Sequence, residues 1–337
     1  MAKEQKTMME TLQGEVRASW NKASSRLAAV LAVLIMVGLP LVFQDYYFNI
    51  LQVKYWYYCG VVIAAAVIYV IMAVIFWNRD RKWCDGALLK GLKSNLSLKS
   101  LTVAEWAMLA FLLASAISTL QSEYVYESFW GNEGRFVGLF MIMLYTISFF
   151  IIARKLEFKK WYLDVFLGTG MIVCLIGILH YFEFDPIGFK NDLNYLDYVD
   201  FTSTIGNINT YTSYLALVVG VSTVLFTVEK EAKRKVWYTV CVVISLFALI
   251  TGISDNAYLT LLALLGLLPF VLFNSVRGVR NYVVILAIVC TEFIGIGFTV
   301  DKFPEHVLAI NGLFNVITDF KGLPVITVVL WILGIGL

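Results

Sequence analysis

Residues 201–228 read FTSTIGNINTYTSYLALVVGVSTVLFTV, a polar stretch that passes directly into an apolar run. The polar half, residues 201–214, is rich in Asn and Thr, and the second half carries no charged side chain. This order is typical of the start of a membrane-spanning helix, and it predicts Asn207, Asn209 or Thr210 as the N-cap. Free backbone N–H groups and the positive end of the helix dipole make such a start a seat for a phosphate. A plain cap at the water interface is the commoner alternative.

The composition places this helix in a polytopic membrane protein. The chain of 337 residues is 60% hydrophobic and only 15% charged, whereas soluble domains are about half apolar and a quarter charged. A span needs about 20 predominantly apolar residues, and the chain supplies many such runs. The first 26 residues are polar and charged, so we expect an uncleaved first span rather than a signal peptide.

The apolar runs predict an all-α fold, a polytopic membrane helix bundle with about ten spans. The predicted spans cover residues 27–43, 57–77, 102–120, 136–153, 161–182, 209–228, 237–253, 257–274, 281–300 and 325–337. The last run is too short to cross a hydrocarbon core of about 30 Å. We therefore expect a truncated tenth span in a piece of a longer protein, with a half-span or re-entrant segment as the alternative.

Residues 1–26 are predicted to form a cytoplasmic, amphipathic segment ahead of a transmembrane domain at residues 27–337. The apolar residues of this segment recur every four positions, at Met8, Leu12, Val16 and Trp20. This spacing puts them on one face of a helix, which is typical of a helix that lies on a membrane surface. A frayed helical tail is the alternative.

The distribution of Lys and Arg predicts the orientation of the spans. With the N-terminus in the cytoplasm, the predicted inner segments hold 21 of the 26 Lys and Arg residues. The predicted outer segments hold the other five, Lys54, Arg135, Lys190, Lys302 and Lys321. Cytoplasmic segments of membrane proteins carry such an excess of positive charge. The sequence therefore predicts a multi-pass protein of the cell membrane with a cytoplasmic N-terminus.

Arg135 stands out on the predicted outer face, within FWGNEGRFVG at residues 129–138. An Arg at a membrane mouth can hold a phosphate with two parallel hydrogen bonds. The neighbouring glycines let backbone approach a ligand closely. A simple anchor at the membrane surface, or an ion pair with Glu133, is the alternative role.

Four other ionisable residues are candidates for chemistry. Asp255, in the turn at residues 254–256, can orient a hydroxyl or act as a base, although such a turn more often caps the next helix. His306 is a candidate general base near neutral pH, against the ordinary role of a surface histidine. His180 ends an apolar run, so we expect it at the membrane interface. Glu292 falls near the middle of a predicted span, where a carboxyl group is costly and often functional.

The remaining signals argue against several kinds of site. The five cysteines, Cys59, Cys84, Cys174, Cys241 and Cys290, show no metal or redox spacing and are interpreted as small apolar residues. With only two histidines in the chain, a zinc site lacks its usual ligands. The predicted inner loops contain no Walker-type glycine-rich loop, so we expect no nucleotide hydrolysis there.

The predicted outer loop at residues 301–324 has an amphipathic pattern. Its apolar residues recur at helical spacing, at Val307, Ile310, Phe314 and Ile317. We expect a helix that lies on the outer membrane surface.

Three segments at predicted outer membrane mouths carry a family resemblance. They are Gly134-Arg135-x-x-Gly138, Gly206-Asn207-x-Asn209, and the turn Gly252-Ile-Ser254-Asp255-Asn256-Ala-Tyr258. Together they make residues 100–337 similar to the O-antigen ligase family of bacterial envelope proteins, which also includes polysaccharide polymerases. The Gly-Asn-x-Asn element is the most specific of the three.

The resemblance implies a glycosyltransferase C-like fold and an inverting, metal-independent transfer of glycan in polysaccharide biosynthesis. The donor would be a glycan linked to undecaprenyl pyrophosphate, and the acceptor a second glycan or another envelope component. The transfer would take place at the outer side of the lipid bilayer. No cofactor, nucleotide or nucleic-acid partner is implied.

The resemblance also assigns roles to residues of this chain. Arg135 would hold the pyrophosphate, helped by the helix start at Asn207 and Asn209, while an acceptor hydroxyl attacks the anomeric carbon. The candidate catalytic residues are Arg135, Asp255 and His306, and the candidate substrate-binding residues are Gly206, Asn207, Asn209, Asn132 and Glu133. No metal ligand is assigned.

One departure from the family keeps other functions open. Ligases of this family place a functional His and Arg in a large outer loop, whereas residues 301–324 hold His306 and Lys302 but no Arg. A transporter or flippase for lipid-linked glycan is the first alternative, and Glu292 would then mark a path through the bundle. A non-catalytic membrane scaffold is the second.

Overall fold

The computed structural model describes residues 2–83, 98–132, 134–191 and 193–337. The described chain is mostly helical, and its short strands form a single antiparallel pair. Within these ranges, six helices are long and apolar enough to cross a membrane: Glu10–Leu41, Ile50–Arg81, Val103–Leu120, Trp161–Tyr181, Ile208–Val228 and Val276–Lys302. The prediction of an all-α membrane protein is therefore confirmed.

The predicted spans differ in how well they match the six long helices. The spans predicted at residues 161–182 and 209–228 agree with Trp161–Tyr181 and Ile208–Val228 to within one residue at each end. Four predicted spans fall on helices that are not among the six, namely Leu139–Lys155, Ala232–Ile250, Asn256–Leu272 and Leu323–Gly336. The total of about ten crossings stays a prediction.

The chain divides into two compact units. The first comprises Met1–Val42 and Leu51–Lys159, and the second comprises Phe43–Ile50 and Lys160–Leu337. The helices of the first unit are α1 (Ala2–Val33), α2 (Leu39–Leu41), α3 (Ile50–Trp83), α4 (Val103–Leu120), α5 (Val125–Trp130) and α6 (Leu139–Lys155). A π-helical turn, Leu34–Gly38, joins α1 to α2, and a short 3₁₀ turn, Leu98–Ser100, precedes α4.

The core of the first unit lies between α1, α3 and α6. Its buried apolar residues are Ala28, Leu31, Tyr55, Tyr58, Cys59, Val62, Ala65, Met141, Leu144 and Ile151. Helix α1 is continuous across residues 26 and 27, where the sequence suggested a domain boundary. Trp20, on the predicted apolar face of α1, is only 3% exposed and packs edge-on against Tyr69 and Phe76.

Lys54 caps the C-terminal end of α2. Lys54 Nζ donates to the backbone oxygens of Leu39, Pro40 and Val42 at 2.8, 3.2 and 3.0 Å. These are carbonyls that the last turn of a helix leaves without an intrahelical partner. Tyr57 Oη donates to Leu34 O at 3.0 Å within the π-helical turn. One of the five predicted outer cations, Lys54, thus has a structural role.

The second unit is built around long helices joined at their ends by polar contacts. Its elements are α7 (Trp161–Tyr181), α8 (Tyr195–Asp200), β1 (Phe201–Thr202), β2 (Gly206–Asn207), α9 (Ile208–Val228), α10 (Ala232–Ile250), α11 (Asn256–Leu272), α12 (Val276–Lys302), α13 (Leu313–Thr318) and α14 (Leu323–Gly336). Strands β1 and β2 pair antiparallel, with Phe201 opposite Asn207 and Thr202 opposite Gly206. Fully buried residues of α7, α9, α10 and α12 form the core: Leu167, Val173, Leu215, Val218, Val219, Cys241, Val242 and Ile285.

Polar residues collect at the two opposite ends of this second unit. We call one the amide end: His180, Ser203, Asn207, Asn209, Ser254 and Asn256. We call the other the basic end: Lys160, Asp164, Glu229, Arg234, Lys235, Arg277, Arg280 and Asn281. Helix α9 has 21 residues and so separates the two ends by about 30 Å, which is the thickness of a bilayer core.

The loop after α12 differs from the prediction of a surface helix. Helix α13 covers only Leu313–Thr318, and Val307, Ile310 and Phe314 are 6%, 4% and 1% exposed. Gly312 has a φ of 75°, a left-handed conformation that interrupts a helix. The predicted helix is therefore wrong before Gly312, because the apolar side chains there pack inward from an irregular loop.

The apolar interpretation of the cysteines is confirmed where the structure describes them. Cys59, Cys174 and Cys241 are buried, Cys290 is half-buried, and all four are free thiols. Cys84 lies outside the described residues.

Candidate functional site

The start of α9 is capped by an asparagine. Asn207 is the N-cap, and its Oδ1 accepts the backbone N–H of Asn209 at 3.0 Å. This confirms the predicted helix start and selects Asn207 from the three candidates. The preceding residue, Gly206, has a φ of 101°, a conformation that side chains other than glycine rarely adopt.

Asn209 joins the start of α9 to the start of α11. Ser254 Oγ donates to Asn209 Oδ1 at 2.8 Å, and Asn256 Nδ2 donates to Asn209 O at 3.3 Å. The N-termini of two helices, with their positive dipole ends, therefore lie side by side. Asn207, Asn209 and Asp255 are exposed, so this surface of the amide end is open to a ligand.

Asp255 occupies the N-cap position of α11 without capping it through its side chain. Its backbone oxygen accepts from Tyr258 N at 3.1 Å and Leu259 N at 3.3 Å. The carboxylate is exposed next to the Asn209 contacts. The turn nevertheless caps α11, as the commoner alternative predicted, because Ser254 Oγ accepts the backbone N–H of Asn256 at 3.4 Å. The Asp255 side chain takes no part in this cap.

A buried network lies behind the β1–β2 hairpin. Ser203 N donates to His180 Nδ1 at 3.0 Å, and Tyr47 Oη donates to Ser203 O at 2.8 Å. Ser203 Oγ donates to Val173 O at 2.6 Å. His180, in the last turn of α7, is 1% exposed, so the protein encloses its ring. Three hydrogen bonds, two to α7 and one to Tyr47, hold the hairpin in place.

The network fixes the tautomer of His180. A backbone N–H can only donate, so Nδ1 must accept the bond from Ser203 and the proton of a neutral ring lies on Nε2. Nε2 is 3.5 Å from Asp185 Oδ1. The Asp185 carboxylate also accepts the backbone N–H groups of Gly188 at 2.9 Å and Lys190 at 2.7 Å. Burial raises the pKa of Asp185, but bonds from the N–H groups of Lys190, Phe189 and Gly188 outweigh it and hold this pKa below its usual value.

Lys190 is a buried cation beside this network. It is 3% exposed, its Nζ donates to Tyr198 O at 2.8 Å, and Nζ lies 4.4 Å from the centroid of the Tyr198 ring. Burial lowers the pKa of Lys190 to about 8, although Asp185 and Glu183 favour its charged form. No sequence pattern indicates this role, because Lys190 lies in a polar loop outside any motif.

The buried network supports the exposed site rather than forming it. Ser203 is fully buried and precedes Gly206 within the same hairpin. Its three bonds fix the backbone that leads to Asn207 and Asn209. Preorganised donors of this kind are effective because they need no rearrangement when charge develops on a ligand.

Arg135 lies in the first unit, in a tight turn. Its side chain is exposed, and its backbone N–H donates to Asn132 O at 3.1 Å. The turn brings Gly138 so close to Gly131 that a Cβ at Gly138 would lie 2.4 Å from Gly131 N. Asn132 is exposed as well. Glu133, a candidate substrate-binding residue and the proposed partner of Arg135, lies outside the described residues.

The last two candidates lie apart from the Asn209 contacts along the chain of the second unit. His306 is exposed in the loop after α12, where its backbone N–H donates to Phe303 O at 3.0 Å. In the described part of this unit no hydrogen bond joins the His306 ring to Asn209 or Asp255. Glu292 is half-buried within α12.

The chain matches no protein-family model, no curated protein and no solved structure. Its function is therefore inferred from the amide end and from the exposed turn around Arg135.

Proposed function

We propose that the chain is a membrane glycosyltransferase of the O-antigen ligase or polymerase type. It would transfer or polymerise glycan from an undecaprenyl-pyrophosphate carrier at the outer face of the cytoplasmic membrane. A glycosyltransferase C-like arrangement of about ten spans and a cytoplasmic N-terminus belong to this proposal. The observation that supports it is the joining of two helix starts by Asn209, Ser254 and Asn256.

This observation suits a pyrophosphate leaving group. Two helix N-termini present their positive dipole ends to the same exposed surface. Helix α9 carries no acidic residue within its first turn, and α11 carries one only at its N-cap, Asp255. Fixed donors of this type stabilise charge that grows on an oxygen during bond cleavage. The Asn207 and Asn209 carboxamides add side-chain donors to the same surface.

The proposed reaction is a single displacement that inverts the anomeric centre. The oxygen of an acceptor hydroxyl forms a bond to the anomeric carbon while the bond from that carbon to the pyrophosphate oxygen breaks. The hydroxyl proton passes to a carboxylate or imidazole, for which Asp255 is the first candidate and His306 the second. The pyrophosphate leaves on its lipid carrier.

The remaining predicted residues would bind substrate. Arg135 would hold the pyrophosphate with two parallel hydrogen bonds. Asn132 and Glu133 flank it in sequence, and Gly206 allows the backbone of the second unit to approach the glycan closely.

An assay with a defined donor tests the proposal. Purified protein in proteoliposomes would receive a polyprenyl-pyrophosphate-linked glycan and a glycan acceptor, and both carrier release and glycan transfer would be followed. We expect transfer by the natural chain and none by Arg135→Ala, with both proteins folded. Arg17→Ala, which removes another exposed arginine of the first unit, is the matched control and should retain activity.

The same assay separates the alternative functions. Full transfer by Arg135→Ala would exclude the phosphate-clamp role. Movement of labelled glycan lipid across the bilayer without transfer to an acceptor would favour a transporter or flippase instead. Neither transfer nor movement, with folded protein and several acceptors, would favour a scaffold.

A further inference from the structure

The basic end of the second unit gathers cations where helix dipoles disfavour them. Lys233, Arg234 and Lys235 lie in the first turn of α10, and Arg277 and Arg280 lie near the start of α12. Neither helix has an acidic residue in its first turn. A helix N-terminus carries a partial positive charge, so cations there are unfavourable unless an anion accompanies them.

The two carboxylates of the basic end, Asp164 and Glu229, already pair with other cations. Asp164 accepts from Arg234 at 2.8 Å and from Tyr238 Oη at 3.0 Å. Glu229 pairs with Lys160 and accepts two backbone N–H groups. Lys160, followed by these N–H groups, lowers the pKa of Glu229 to about 2. Neither carboxylate is therefore left to balance the cations of α12.

Three of the remaining cations, Lys235, Arg277 and Arg280, lie close together around the end of α9. Arg277 donates to Glu229 O at 2.6 Å, and Lys235 Nζ donates to Asn281 Oδ1 at 3.2 Å. Asn281, only 1% exposed, is itself fixed by a 2.9 Å bond to Thr227 O. These bonds hold Lys235 beside the α12 turn that carries Arg277 and Arg280.

The mutual repulsion of these cations contributes to a lowered pKa at Lys235. Burial, with the positive charges of Arg277 and then Arg280, lowers the pKa of Lys235. Glu231 is the remaining acid nearby. Among the described residues no ion pair joins Glu231 to Lys235, Arg277 or Arg280. The three side chains thus form a positive surface without an internal counter-charge.

Exposed apolar residues lie close in sequence to these cations. Val236, next to Lys235, is 64% exposed, and Val276, next to Arg277, is 66% exposed. Phe273, in the turn before α12, is 54% exposed. Cations beside exposed apolar groups fit a ligand that has a charged head and an apolar tail.

We propose that Lys235, Arg277 and Arg280 bind the phosphate headgroup of an anionic phospholipid. The guanidinium groups would donate to the phosphate oxygens, and the Lys235 ammonium would add a third positive charge. Val236, Val276 and Phe273 would contact the acyl chains. The proposal stands apart from glycan transfer, because this surface and the Asn209 contacts lie at opposite ends of α9.

The experiment measures lipid binding with matched charge removals. The full chain in neutral detergent would be titrated with phosphatidylglycerol, phosphatidylcholine or inorganic phosphate, and bound ligand would be counted by native mass spectrometry. Arg277→Gln with Arg280→Gln should weaken phosphatidylglycerol binding by about 30-fold, given the attraction of each basic residue to anionic lipid. Lys302→Gln with Lys321→Gln removes two exposed cations elsewhere in the same unit and should leave binding within about twofold.

Further variants keep the test decisive. Arg277→Lys with Arg280→Lys retains the charges and should bind more tightly than the Gln pair. If the Gln pair does not fold, Lys235→Gln keeps a side chain able to bond Asn281 and should weaken binding by about fivefold.

Three outcomes would overturn the proposal. Equal losses in the basic-end and control pairs would mean unspecific attraction. If Lys235→Gln or the folded Gln pair bound phosphatidylglycerol as tightly as the natural chain, these residues would not be the lipid-binding site. Inorganic phosphate that binds as tightly as the lipid would make the ligand a free anion rather than a headgroup.

Discussion

The amide end and the basic end of the second unit both contain helix N-termini, yet the side chains at these termini differ in charge. At the amide end, the neutral Asn207 carboxamide accepts the Asn209 backbone N–H, and the neutral side chains of Ser254 and Asn256 donate to Asn209. At the basic end, Lys235 and Arg277 add positive charge to helix starts that are already positive. Helix direction alone therefore does not determine which anion a helix start can bind.

The difference suggests different kinds of anion for the two ends. Neutral, fixed donors bind a charge that appears during reaction and release it afterwards, which suits a pyrophosphate leaving group. A surplus of full charges favours an anion that stays bound, which suits a lipid headgroup. Substitutions and pH can test whether the two ends differ in this way.

The largest expected effect comes from the buried network of the amide end. His180→Ala leaves the Ser203 N–H without its acceptor and opens a cavity, so we expect the free energy of unfolding to fall by about 4 kcal/mol. His306→Ala, the other histidine of the chain, removes an exposed ring and should change it by less than about 0.5 kcal/mol. Unfolding in mixed micelles measures both. Equal effects would show that His180 does not hold the hairpin.

Lys190, beside the amide end, should make the free energy of unfolding depend on pH in the alkaline range. Burial lowers its pKa to about 8, against about 10.4 in an unfolded chain. Between these values the unfolded chain binds more protons, so the free energy of unfolding should rise with pH, by about 3 kcal/mol. Lys190→Met should lack this rise. A variant that keeps the full rise would mean that other groups titrate there.

Glu229, at the basic end, should make the free energy of unfolding depend on pH in the acid range, with a smaller effect. Its pKa is lowered to about 2 by Lys160 and by the N–H groups of Glu231 and Lys230, against about 4.3 in an unfolded chain. The stabilisation is complete above the unfolded value and is lost as the pH falls toward 2. Glu229→Gln should flatten this part of the stability profile. If Glu229→Gln kept the same dependence of stability on pH in the acid range, Glu229 would not be its cause.

Much of the fold could be predicted from the sequence because it depends on local patterns. Long apolar runs bounded by polar residues located Trp161–Tyr181 and Ile208–Val228 to within one residue. The Asn207 cap was predictable because a carboxamide before an apolar run bonds to its own helix start. The expected helix over residues 307–317 failed at Gly312, whose backbone conformation the apolar spacing does not report.

The candidate site was predictable only in its exposed part. Asn209 and Ser254 were recognised separately, but the bond between them joins residues 45 positions apart. The burial of His180 depends on Tyr47, 133 positions away, and on Ser203, whose φ is 54°. Such contacts depend on tertiary packing, which no periodicity in one sequence reveals.

The role of the amide end is tested most directly by the turnover of Asn209→Ala in the glycan-transfer assay. Asn274→Ala, at an exposed asparagine between α11 and α12, is the matched control. Loss of one preorganised donor should lower kcat on the order of 100-fold in Asn209→Ala and leave Asn274→Ala unchanged. Natural turnover in a folded Asn209→Ala protein would contradict the assignment of the amide end as the site of pyrophosphate departure.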